Sequence, residues 1–109
     1  MKDYTFFVYI LTNSTKSVLY TGFTNHLEQR LVEHYMNRGK KKTFAGRYYC
    51  YHLLYYEVHQ YVNNALEREH EIKGWTRAKK IDLIKSDNPE LLFLNKELME
   101  WPPADLIHR

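Results

Sequence analysis

Hydrophobic and polar positions alternate along this chain in a way that separates strands from helices. The run Phe6-Phe7-Val8-Tyr9-Ile10-Leu11 carries β-branched and aromatic residues suited to a pleated, partly buried surface. Side chains two apart on a strand share a face, so Phe7, Tyr9 and Leu11 point one way and Phe6, Val8 and Ile10 the other. Both faces are apolar, which predicts a strand buried on both sides. Asn13-Ser14-Thr15-Lys16-Ser17 has hairpin-loop composition and leads to a second strand through Tyr20. Gly22, late in that strand, marks a bulge or a close approach. Leu27, Leu31 and Tyr35 then recur every four residues, the core stripe of a helix that begins near Asn25 and ends around Asn37 to Gly39. Asn25 with Glu28 would form its capping box. Arg30 and His34, also four apart, lie on the shoulder of the stripe.

A polar, basic connection from Lys40 to Gly46 precedes an aromatic run, Tyr48 to Glu57, which is the third strand candidate. Val62 to Lys73 reads as the second helix, capped by Asn63 or Asn64, with Val62, Ala65, Leu66 and Ile72 as its apolar positions. Glu69 falls on that stripe, whereas Glu67, Arg68, His70 and Glu71 can reach water. Gly74 stops the helix, and Thr76 caps another reaching about Lys85, anchored by Ile81 and Ile84. Asn88-Pro89 is a turn. Glu90 to Glu100 would form a last helix, docking Leu91, Leu94, Leu98 and Trp101, before Pro102-Pro103 and a loose tail. There is no internal repeat.

At 109 residues the chain suits one compact domain. Its formal charge of +3 is compatible with nucleic-acid binding but does not require it, so position matters more than the total. Arg38-Gly39-Lys40-Lys41-Lys42 is one basic block, and Arg77, Lys79 and Lys80 form another. Either reads most simply as solvated surface. The second block, however, puts cations at a helix N-terminus against the dipole, which suggests contact with phosphate. A single cysteine, Cys50, excludes an internal disulfide and a Cys-x-x-Cys zinc ribbon, and favours a reducing, cytoplasmic setting. No secretory signal or apolar run of membrane-spanning length is recognisable, so a soluble protein is expected.

Two side chains demand partners. A Tyr9 hydroxyl buried without one costs about 1–3 kcal/mol. An isolated Glu69 carboxylate facing a core costs several kcal/mol unless it is protonated, pairs with Arg30 or a tyrosine hydroxyl, or holds a cation.

Taken together the motifs resemble the GIY-YIG nuclease superfamily, most closely its small single-domain bacterial members. Val8-Tyr9-Ile10-Leu11 stands for the first signature and Tyr20-Thr21-Gly22 for the second. Arg30-Leu31 with His34, Leu54-Tyr55-Tyr56-Glu57, Ala65-Leu66-Glu67-Arg68-Glu69, Ile72-Lys73-Gly74-Trp75, Arg77-Ala78-Lys79-Lys80 and Asn88-Pro89 follow in order. The likeness spans roughly Tyr4 to Pro89. Phe7 stands where the first signature has glycine, Val8 where it has isoleucine, and Thr21 where the second has its central isoleucine. These are packing positions.

The resemblance implies an α+β domain over residues 1–89, a three-stranded antiparallel sheet flanked by helices, with 90–109 packed on the same domain. It implies metal-dependent hydrolysis of DNA phosphodiesters, in DNA repair or processing. Carried over by position, Tyr9, Tyr20, Arg30, His34 and Glu69 become the catalytic residues, with Glu69 holding Mg²⁺ or Mn²⁺. Gly22 belongs to the second signature, and Asn88 matches a late asparagine of several members. Arg30 would hold a phosphate oxygen, Tyr20 would orient water or phosphate, and either Tyr9 or His34 would take the proton of the attacking water. On this reading Arg30 and Glu69 meet over the hairpin. Gly22, Lys40, Lys41, Lys42, Arg77, Lys79, Lys80 and Asn88 would face DNA, with targeting left to a partner protein. The remaining histidines, His26, His52, His59, His70 and His108, have no metal spacing and are expected at the surface. The competing readings are a non-catalytic nucleic-acid-binding module of the same fold, and a protein-interaction domain using the aromatic third strand and the Leu-rich C-terminal segment.

Overall fold

The computed structural model describes residues 5–103; the first four residues and those from 104 onward, with the expected tail and His108, lie outside the described residues. Strands β1 (Phe6–Thr12), β2 (Leu19–Thr24) and β3 (His52–His59) form one antiparallel sheet in the order β2-β1-β3. The two-faced apolar run is therefore the central strand, and Val8 through Thr12 are all fully buried. Helices cover both faces. On the side of Val8 and Ile10 pack Ala65 and Ile72 of α3 (Val62–Lys73) and Ile84 of α4 (Arg77–Asp87). On the side of Tyr9 and Leu11 pack Leu27 and Leu31 of α1 (Leu27–Met36) and Ala45 of the single-turn α2 (Phe44–Arg47).

The ends of these elements depart from the sequence reading in instructive ways. Neither Asn25 nor Asn63 and Asn64 cap their helices; α1 starts after His26 and α3 after Tyr61, both without a side-chain cap. Thr24 Oγ1 instead accepts from the His26 N–H just ahead of α1. Thr76 does cap α4, accepting from the Lys79 N–H. The connection from Lys40 to Gly46 is not wholly irregular, because Thr43 accepts from the Gly46 N–H and starts α2. The third strand begins four residues later than expected. Tyr49 adopts φ 57°, outside strand geometry, and the Cys50 N–H bonds the Ala45 carbonyl instead of a neighbouring strand. The last helix shrinks to α5 (Asn95–Leu98), since Leu91 at φ 54° interrupts the expected Glu90–Glu100 span.

Two buried asparagines close the outer side of β3. The β1–β3 register slips between Ile10 and Leu11, leaving Leu54 without a partner residue on β1. The Asn88 amide donates to the Leu54 carbonyl (2.9 Å) and to the Leu92 carbonyl, and its oxygen accepts from the Leu92 N–H. Asn95 accepts from the Leu53 N–H (2.7 Å) and donates to the Tyr51 carbonyl. A sheet edge that would otherwise offer itself for pairing is thus covered by the C-terminal segment. Arg68, expected in water, reaches back to β3: its Nε donates to Glu57 (2.8 Å), which also accepts the Tyr55 hydroxyl at 2.6 Å.

Candidate active site

The site is built around the Tyr9 phenol. Tyr9 pairs with Gly22 across β1 and β2, and its ring lies over that glycine. A β-carbon at Gly22 would fall inside the contact distance of the ring Cζ and hydroxyl, and 2.9 Å from Cε1. The absence of a side chain at Gly22 is what lets the phenol run across the edge strand. There its hydroxyl meets His34 Nε2 at 2.9 Å, the polar partner that burial required. Tyr20 stands 5.4 Å from the same imidazole, edge to face, and 6.3 Å from the Tyr9 ring. Arg30, one helical turn before His34, donates to Glu33 at 3.0 Å, and Glu33 is also held by the Gln29 amide.

The electrostatics follow from this crowding. Burial raises the Tyr9 pKa far above the ordinary phenol value; the neighbouring Arg30 guanidinium opposes that, while Tyr20 and the Glu69 carboxylate add to it. Burial also pushes His34 down to about 4, helped by the positive charge of Arg30 and opposed by Glu33. At neutral pH His34 is therefore an uncharged imidazole. Tyr9 itself has no exposed surface, whereas the Arg30 side chain beside it is 45 % exposed. A depression of about 130 Å³, lined by Tyr20, Arg30, Glu33, His34 and Thr43, opens onto the group.

Glu69 arrives from the other side. Helices α1 and α3 pack on opposite faces of the sheet, and Arg30 and Glu69 form no ion pair with each other. Arg30 pairs with Glu33, and Glu69 with Lys73 one turn later at 2.8 Å. Both charges act on the Tyr9 phenol, Arg30 lowering its pKa and Glu69 raising it. With its side chain 19 % exposed, Glu69 remains open to a small ion. Among the described residues no group of three or more His, Cys, Asp or Glu side chains gathers to hold a metal. A single carboxylate is nevertheless a fitting donor for Mg²⁺ or Mn²⁺, hard ions that keep several waters and need few protein ligands.

The other expected contacts divide. Gly22 makes room for Tyr9. Asn88, 6 % exposed with its amide fully engaged by backbone, braces β3 and does not reach a surface ligand. Arg77 donates to the Lys16 and Ser17 carbonyls, tying α4 to the hairpin loop, and Lys79 lies 4.3 Å over the Trp75 ring. Lys40, Lys41 and Lys42 are exposed. Thr21, where the second signature has isoleucine, is buried with its hydroxyl unpartnered among the described residues. Sequence reasoning missed Glu33, though its place three residues after Arg30 was the available signal.

Sheet order, flanking helices and the tyrosine-bearing hairpin together define a small α+β domain of a nuclease superfamily. Residues 5–82 match the family model described as the GIY-YIG catalytic domain, and the chain belongs to the GIY-YIG family. UPF0213 proteins from the Mu3 and Mu50 strains of Staphylococcus aureus are each 43 % identical over 79 residues, covering 72 % of this chain and 93 % of theirs. The solution NMR structure of the UPF0213 protein BH0048 from Bacillus halodurans is similar with a TM-score of 0.51 at 28 % identity, covering 84 % of this chain and 93 % of that one.

Proposed function

We propose that this chain is a metal-dependent endonuclease that hydrolyses DNA phosphodiester bonds. The observation that carries this reading is the grouping of Tyr9, Tyr20, Arg30 and His34 at one sheet edge, with the Glu69 carboxylate acting on the same phenol. In this reading a phosphate oxygen draws the exposed Arg30 guanidinium away from Glu33 and off Tyr9, uncovering the hydroxyl. Burial is the main cause that holds His34 down, and an anion on Arg30 offsets the positive charge that adds to it, so the imidazole becomes a somewhat better base as substrate binds. The attacking water then gives its proton to the Tyr9 oxygen while Tyr9 passes its own to His34 Nε2, so the phenol never becomes a free phenolate. Such positioned proton transfer contributes typically ~10²–10⁴-fold. Tyr20 orients the water or the phosphate. Glu69 would hold the ion, which supplies positive charge to the scissile phosphate and the leaving oxygen when bound.

The test is incubation of the wild-type chain and Glu69→Ala with plain, nicked and branched DNA in Mg²⁺. Cleavage by wild type and its loss in Glu69→Ala, with thermal stability within about 1 kcal/mol of wild type, is the expected result. Cleavage undiminished in Glu69→Ala would refute the role given to the carboxylate. The Lys73–Glu69 pair favours a second reading, a DNA-binding module whose carboxylate stays neutralised. Salt-sensitive DNA binding without any cleavage in wild type would point to it.

A further inference from the structure

We propose that the exposed ring of Phe44, with Tyr48 beside it, is a stacking platform for one unpaired nucleobase of the bound strand. The proposal rests on the nuclease reading and specifies which state of the DNA the site takes. Phe44 is 51 % exposed and Tyr48 42 %, and the two rings sit 4.8 Å apart. Tyr20 and Tyr48 pack against Phe44 yet leave about half of it open to solvent. The frame here is ordered: the Gly39 N–H bonds the Gly46 carbonyl at 2.8 Å, and the Cys50 N–H bonds Ala45 at 2.9 Å. Gly46 is buried with no room for a β-carbon, which would lie 2.8 Å from the Asn37 carbonyl oxygen. Phe44 is thus held out by a rigid turn.

Its neighbours say what it would hold. On one side Phe44 stacks on Tyr20, ring centroids 6.4 Å apart and planes 22° from parallel. Thr43 and Ala45, the residues flanking it, line the same depression as Arg30 and His34. On the other side Phe44 borders a second depression of about 270 Å³, with Leu19, Arg77 and Lys80 in its wall. The platform therefore stands between the candidate catalytic groups and a pair of cations, with Lys40, Lys41 and Lys42 just before it in the chain. Aromatic rings set between two depressions, with Arg30 in the wall of one and Arg77 and Lys80 in the wall of the other, match a nucleic-acid strand, whose bases stack while its phosphates pair with the cations. Within a fully paired duplex each base is already stacked on both sides. The base seated on Phe44 must therefore be unpaired.

The experiment measures equilibrium binding of the full chain, in Ca²⁺ to hold back cleavage, to three probes: a single-stranded oligonucleotide, a duplex with an unpaired bubble, and a fully paired duplex. Each carries 2-aminopurine as a stacking reporter. Wild type should bind the first two more tightly and quench their fluorescence. Phe44→Leu, which keeps apolar contact with Tyr20 but loses the aromatic face, should lose roughly 5- to 100-fold affinity for the unpaired probes. Its affinity for the paired duplex should not change, and Phe44→Trp should keep both the affinity and the quenching. Equal binding by wild type and Phe44→Leu, or no preference for unpaired DNA in wild type, overturns the proposal. If wild type cleaves DNA while Phe44→Leu binds and cleaves alike, the platform falls and the nuclease reading stands. If Phe44-dependent binding is found without Glu69-dependent cleavage, the platform stands and the nuclease reading falls. Binding to none of the probes sinks both.

Discussion

Gly22→Ala is the sharpest test of how the site is assembled. Gly22 is not in the left-handed region of backbone space, so alanine fits the local conformation and would ordinarily favour a strand by about 0.5–1 kcal/mol over glycine. The obstacle is the Tyr9 ring, since the new methyl group would overlap Cζ and the hydroxyl and sit 2.9 Å from Cε1. Tyr9 is fully buried beneath Leu27 and Leu31, so the ring cannot simply retreat. Overpacking of this kind costs about 1–3 kcal/mol, and losing the Tyr9–His34 hydrogen bond adds about 0.5–1.5 kcal/mol. Set against the strand preference, the net loss is about 0.5–4 kcal/mol, a fall of roughly 2–30 °C in Tm for a domain of this size. The assay is denaturant unfolding of Gly22→Ala in wild-type and Tyr9→Leu backgrounds. Leucine has no atoms where Cζ and the hydroxyl were, so in that background the alanine should be neutral or slightly stabilising. An equal cost in both backgrounds, or no cost in either, would refute the reasoning that Gly22 exists to pass the phenol across the edge strand.

Further outcomes follow from the same geometry. His34 should titrate near pH 4 by NMR. Unfolding returns the ring to its ordinary value near 6.5, so the unfolded chain binds the extra proton between about pH 6.5 and 4. The stabilisation is complete above 6.5 and is lost as pH falls towards 4, and His34→Gln should flatten the slope of stability in that window. An equal slope in the variant would remove His34 as its source. Asn88→Ala leaves the Leu54 and Leu92 carbonyls and the Leu92 N–H without their partner, so a loss of about 2–3 kcal/mol is expected in denaturant unfolding. The DNA affinity of the folded variant should be unchanged, and a selective loss of affinity with normal stability would restore Asn88 to the binding surface.

The sequence by itself determined the central strand, the bounds of α3, the Thr76 cap and the order of family signatures, because each depends on residues a few positions apart. A strand with two apolar faces must lie between two layers, and β1 does. The same pattern implied that Tyr9 needed a partner without saying which. Only the tertiary structure chose His34, and only it put α1 and α3 on opposite faces and paired Arg30 with Glu33 and Glu69 with Lys73. Asn88 and Arg77 read as DNA-facing residues, and Asn95 drew no reading, because their partners, Leu54, Ser17 and Leu53, lie 34, 60 and 42 residues away. Periodicity and capping are short-range signals. Which backbone group a bulge leaves unpaired, and which side chain arrives to satisfy it, is decided when distant segments pack.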